Sequence, residues 1–155
     1  MPIFLIDINC YLTICCVVNP KTDTWNIVGH LVTPRQGVNA MVCRNKIYVL
    51  GGFDGVERLQ SVECFEVKWN GSLQWLHVPN MITCRSNFAA CRMENQDIMV
   101  IGGFKEDTSV NLRAVCKDVE ILDITENVWR PGPSLNKAKS ALACISVNNQ
   151  DLEFK

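Results

Sequence analysis

The clearest pattern along the chain is an apolar run closed by a pair of glycines. Ile47-Tyr48-Val49-Leu50 leads into Gly51-Gly52 and then Phe53-Asp54-Gly55, and the same order returns as Ile98-Met99-Val100-Ile101, Gly102-Gly103, Phe104-Lys105. Four apolar residues in succession, bounded by glycine, predict a strand buried on both faces. The glycines mark places where the backbone turns left-handed or a neighbour comes close. Downstream of each pair lie shorter extended runs: Ser61 to Val67 and Leu73 to Leu76 after the first, Lys117 to Asp123 and Val128-Trp129 after the second. Polar turn segments separate them, among them Asn70-Gly71-Ser72 and Thr125-Glu126-Asn127. Helical periodicity is sustained nowhere, so the chain reads as all-β.

The runs are in register with one another. The glycine pairs stand 51 residues apart, and Trp25, Trp75 and Trp129 follow one another at 50 and 54. Arg35, Arg85 and Lys139, each just before another predicted strand, repeat the same two intervals. A unit of four short strands with a period of about 50 residues predicts a β-propeller blade. The expected division is an incomplete blade over residues 1–30, complete blades over 35–78 and 85–131, and the inner strand of a further blade over 137–155. Closed propellers take about four to eight blades, so a partial propeller, either a piece of a longer chain or a truncated product, is expected.

Composition narrows the function classes. The 155 residues are 48 % hydrophobic, with 15 basic side chains against 16 acidic. That balance lacks the basic bias of a nucleic-acid-binding surface. The N-terminal Met1-Pro2-Ile3-Phe4-Leu5-Ile6 has no basic flank and reads as a strand rather than a leader, and no membrane partner is expected. Nine cysteines include no C-x-x-C pair; buried, reduced thiols in a cytoplasmic protein are the expectation. In that compartment the Asn70 sequon serves as a turn. His30 and His77 stand apart, which gives no metal or cofactor site to assign. With no nucleophile elbow or phosphate loop either, the chain is not expected to be an enzyme.

The double glycines, with Glu63 and Trp75 after the first and Glu120 and Trp129 after the second, resemble kelch repeats. Gly52-Phe53-Asp54-Gly55-Val56-Glu57-Arg58-Leu59 and Arg85-Ser86-Asn87-Phe88 are similar to the kelch-like adaptor family, in which BTB and BACK domains precede the propeller. The resemblance implies the substrate-recognition domain of a cullin-RING ubiquitin ligase adaptor. One propeller face would hold a protein substrate, and cullin would be met only through a BTB domain that these residues do not contain. The alternatives are an actin-binding cytoskeletal kelch protein and a truncated product without autonomous function. Carried over by position, the partner-binding residues would be Arg35, Gln36, Phe53, Asp54, Arg85, Ser86, Phe104, Lys105, Lys139 and Ser140. A ring of arginine and lysine at one mouth would suit an acidic or phosphorylated segment, although Lys139 lacks the planar guanidinium fork. Glu63 and Glu120, recurring once per unit, are expected to be scaffold partners rather than acid–base groups.

Overall fold

A computed structural model describes residues 3–6, 14–19, 21–68, 72–107 and 112–147 of the chain. Among these residues there is no helix, and thirteen strands are present. The first sheet is antiparallel, with order β1 (Ile3–Ile6), β2 (Ile14–Asn19), β3 (Thr24–His30). The second is a four-stranded meander of β4 (Asn39–Cys43), β5 (Lys46–Leu50), β6 (Val62–Val67) and β7 (Leu73–Leu76). The third repeats it with β8 (Ala89–Arg92), β9 (Ile98–Ile101), β12 (Val119–Asp123) and β13 (Val128–Pro131). Between β9 and β12 the chain makes a separate hairpin of β10 (Phe104–Asp107) and β11 (Leu112–Val115), with Phe104 opposite Val115. The sequence pattern did not announce that hairpin.

The sheets stack face to face, as blades of a partial β-propeller. The apolar strand β5 shows why its pattern does not alternate. Ile47 and Val49 join Cys15, Leu31 and Phe65 in one core cluster, while Tyr48 and Leu50 join Val62, Met81, Phe88, Ile98, Val100, Leu122 and Trp129 in another. Both faces of the strand are covered by neighbouring sheets. Burial of this kind is worth roughly 1.5–3 kcal/mol per large aliphatic side chain.

The glycine pairs close the gap between successive blades. Gly52 (φ 105°) and Gly103 (φ 101°) lie in the left-handed region, as do Gly51 and Gly102. A Cβ on Gly52 would meet Val38 Cγ1 at 2.6 Å, and one on Gly103 would meet Ser86 O at 2.7 Å. A Cβ on Gly51 would stand 2.6 Å from Arg85 O and one on Gly102 2.5 Å from Lys139 O, so the bare glycines let Gly52 N–H donate to Arg85 O and Gly103 N–H to Lys139 O, each at 2.8 Å. The loop of each blade is thereby clamped to the strand entry of the next.

Residues 132–147 differ from the expected inner strand. No ladder forms over 132–147, which include the described part of the expected 137–155. They are held instead by single backbone bonds, including Leu135 N–H to Lys117 O and Ala141 N–H to Asn87 O. Residues 148–155, the turn at Asn70-Gly71 and the N-terminal Asp7-Ile8 lie outside the described residues.

Candidate functional site

The repeated arginines are scaffold. Arg35 and Arg85 are 3 % and 0 % exposed. Arg35 Nη1 donates to Gly51 O (2.8 Å) and Ser61 O (2.9 Å), and its Nη2 donates to Ser61 Oγ and to Glu63 Oε1, each at 2.9 Å. One blade on, Arg85 Nη1 donates to Gly102 O (2.8 Å) and Asp118 O (3.0 Å), and Nη2 to Glu120 Oε1. The carboxylates continue the chain of bonds: Glu63 Oε2 accepts from Val32 N (2.7 Å) and Glu120 Oε2 from Ile82 N (2.7 Å). Each pair therefore ties the segment entering a blade to that blade's third strand and to the glycine turn. Burial pulls the Arg35 pKa below its ordinary value, and Glu63 pushes back against it. The placement of Arg35 and Arg85 on a partner-binding ring is corrected by this geometry. A guanidinium sealed from water and committed to backbone carbonyls is not presented to a ligand.

The lysines differ from the arginines. Lys105 Nζ bonds Asp118 Oδ2 at 2.7 Å, a contact that raises its pKa. Lys139 is exposed, and Ser140 beside it is half-buried. Asp54 turns inward to its own loop. Its Oδ1 accepts from Val56 N and Glu57 N, both at 2.8 Å, and these bonds hold its carboxyl below the usual range.

The remaining expected residues do converge. Gln36 and Phe53 exchange backbone hydrogen bonds of 2.9 Å, and Ser86 and Phe104 exchange theirs at 3.0 and 2.8 Å. Each glycine-pair loop is thus laid against the residue that follows the buried arginine of a blade. Between the two phenylalanines sits a residue that the repeat pattern passed over, Arg58. Its guanidinium carbon lies 5.7 Å from the centroid of Phe53 and 5.8 Å from that of Phe104. Its Nε donates to Ser86 Oγ (3.2 Å) and its Nη1 to Glu106 Oε1 (3.2 Å). An open cavity of about 270 Å³ adjoins it, lined by Gln36, Gly37, Phe53, Arg58, Ser86 and Asn87. The chemistry on offer is recognition: a cation on two aromatic faces beside amide and hydroxyl groups. Among the described residues no three His, Cys, Asp or Glu side chains come together as metal ligands. No helix among them is long and apolar enough to cross a membrane.

A sequence model of the kelch motif matches residues 34–82 and again 84–136. The chain belongs to the kelch-repeat family. It is 28 % identical over 139 residues to kelch repeat protein C2 of cowpox virus (strain GRI-90 / Grishak), which covers 90 % of this chain and 25 % of that protein. It is 33 % identical over 108 residues to kelch repeat-containing protein kel-10 of Caenorhabditis elegans, covering 69 % of this chain and 17 % of the relative. Kelch-like protein 7 of Rattus norvegicus is 30 % identical over 94 residues, 61 % of this chain and 15 % of that one. The chain spans about a quarter or less of the length of these relatives. Among solved structures, that of YjhT superposes with a TM-score of 0.75 at 14 % identity, over 88 % of this chain and 43 % of that chain. This is a likeness of fold: kelch blades, each a four-stranded antiparallel sheet.

Proposed function

We propose that this chain is a protein-recognition module, not an enzyme, working in the cytoplasm as the substrate-holding part of a cullin-RING ubiquitin ligase adaptor. The observation that carries the reading is the Phe53–Arg58–Phe104 stack. Two successive blades each contribute an aromatic residue to one arginine, at the mouth of an open cavity on one face. Aromatic residues and arginine dominate the energetics of protein interfaces, and here Phe53 and Arg58 are pinned by isolated bridges in the loop between β5 and β6 while Phe104 opens β10. Gln36 and Ser86 line the cavity beside them, Asp54 holds the loop that presents Phe53, and in this reading Lys105, Lys139 and Ser140 belong to the rim. In this scheme the module positions a protein target and ubiquitin transfer happens elsewhere in the assembly. The likeness to kelch-like proteins supports the adaptor role.

The test is affinity purification of the protein as expressed in its own cells, wild type beside Phe53→Ala with Phe104→Ala. Recovery of cullin by both, with ubiquitinated targets lost only from the variant, is the expected result. Co-sedimentation with actin filaments and no recovered cullin would sink the adaptor reading.

A further inference from the structure

The recognition face already contains a carboxylate in the place a ligand's carboxylate would take. Arg58 is nearly sealed, with 8 % of its side chain exposed, whereas its partner Glu106 is 41 % exposed. Glu106 stands on β10, in the hairpin between β9 and β12, two residues after Phe104. It reaches back to Nη1 of an arginine that belongs to the preceding blade. The contact therefore crosses between blades through a hairpin built outside the main sheets. Among the described residues, the bonds to Ser86 and Glu106 engage two of the five N–H donors of Arg58.

We infer that Glu106 is an internal competitor for the site, and that the ligand is an acidic peptide segment whose carboxylate displaces it from Arg58. This rests on the recognition reading above and gives that face its ligand chemistry. Three features favour carboxylate. The guanidinium is oriented by Ser86 and held by the two rings, so its fork is set before a ligand arrives. A carboxylate is the anion that the Arg58 guanidinium already accommodates, at hydrogen-bonding distance. The two other acidic groups close by in this stretch are otherwise disposed: Asp54 accepts from its own loop, and Glu57 is exposed at the loop surface. Displacement costs little, because a half-exposed ion pair is weak. A carboxylate arriving with further contacts in the cavity exceeds it.

The experiment measures binding of three fluorescent hexapeptides to the full 155-residue chain by anisotropy: hexaglutamate, hexaglutamine and a phosphoserine-containing peptide of otherwise neutral sequence. Hexaglutamate should bind and hexaglutamine should not. Glu106→Gln should tighten hexaglutamate about two- to fivefold, the range expected for releasing an exposed ion pair. Arg58→Gln should weaken it at least about tenfold, and Arg58→Lys should recover only part, because the fork is lost. If Arg58→Gln shifts the melting temperature by more than a few degrees, the Glu106→Gln result decides, since that side chain carries no buried contact. Hexaglutamate that binds through Arg58 but is unaffected or weakened by Glu106→Gln overturns the competitor role and leaves the recognition face standing. Preference for the phosphopeptide overturns the assignment to carboxylate. Failure of all three peptides, alongside loss of targets from the Phe53/Phe104 variant in cells, overturns the acidic ligand alone; failure of both experiments removes the recognition reading itself.

Discussion

At the scale of single residues, the same side-chain type serves two opposite purposes. Arg85 is completely buried and meets two backbone carbonyls and Glu120, whereas Arg58 stands at a cavity mouth between two rings. Position in the repeat decides which is which. Truncating one partner of a buried pair leaves the other charge without compensation, at a cost of about 3–5 kcal/mol. Arg85→Ala is therefore expected to lower the unfolding free energy by that much or leave the chain unfolded. Arg85→Met combined with Glu120→Leu removes both charges and should be markedly milder. Among the described residues, buried Arg35 Nε and Arg85 Nε have no hydrogen-bond partner, which adds a desolvation cost to each pair. That favours the apolar double substitution further, although Gly102 O, Asp118 O and Ile82 N–H would lose their side-chain partners. Chemical denaturation monitored by tryptophan fluorescence gives the comparison; equal losses in single and double variants would show that the pair's hydrogen bonds outweigh its charges.

At the scale of elements, the glycine turn and the arginine pair are one device. Gly103 N–H reaches Lys139 O past the bare Cα of Gly102, where a Cβ would stand 2.5 Å from that oxygen, and a Cβ on Gly103 itself would meet Ser86 O at 2.7 Å. Gly103→Ala combines a left-handed backbone with that clash, so it should destabilise by more than about 1 kcal/mol. Val56→Ala, at an exposed loop position with no such constraint, should stay within about 0.5 kcal/mol; a similar small loss in both would deny the turn its role. This device was legible in the sequence, since a buried strand that ends in two glycines at a fixed period calls for a tight left-handed close at every blade. The hairpin β10–β11 was not. Each of its strands has four residues, too few for alternation to stand out, and no Asn-Gly or Asp-Gly turn marks it. The site was legible in part and for an instructive reason. Gln36, Phe53, Ser86 and Phe104 follow the repeat and do converge. Carry-over from the family resemblance also promoted Arg35 and Arg85 to the binding surface, although a charge that recurs in every blade is there because every blade needs it. Arg58 has no counterpart one period on, where Ser109 stands, so the periodic reading passed over the residue that the cavity surrounds.

For the molecule as a whole, stacking makes stability a sum over neighbours rather than a property of one core. In the first sheet, Trp25 and Ile27 on β3 are 53 % and 61 % exposed, whereas Trp129 on β13 of the third is 8 % exposed and packed into the cluster between the second and third sheets. The first sheet should accordingly open at lower free energy than the other two. Cysteines report on this without any mutation. Cys15 is buried against the first interface, and Cys43 and Cys64 are buried in the second. Burial pushes the Cys15 and Cys64 thiols up to about 11, so at pH 7 only roughly one in ten thousand of either is thiolate, the reactive form. Alkylation of the native chain at neutral pH must therefore wait for opening, which returns the thiol to its ordinary pKa and exposes it. Burial is the leading cause at Cys15, Cys43 and Cys64 alike, so in the closed state all three are both inaccessible and held as thiols. Their relative rates measure opening alone. Pulsed iodoacetamide labelling read by peptide mass spectrometry should modify Cys15 several-fold faster than Cys43 or Cys64. Equal rates at all three would mean that the blades open as one cooperative unit. Faster labelling at Cys43 or Cys64 would place the weak interface between the second and third sheets, on the blades that carry the Phe53–Arg58–Phe104 stack.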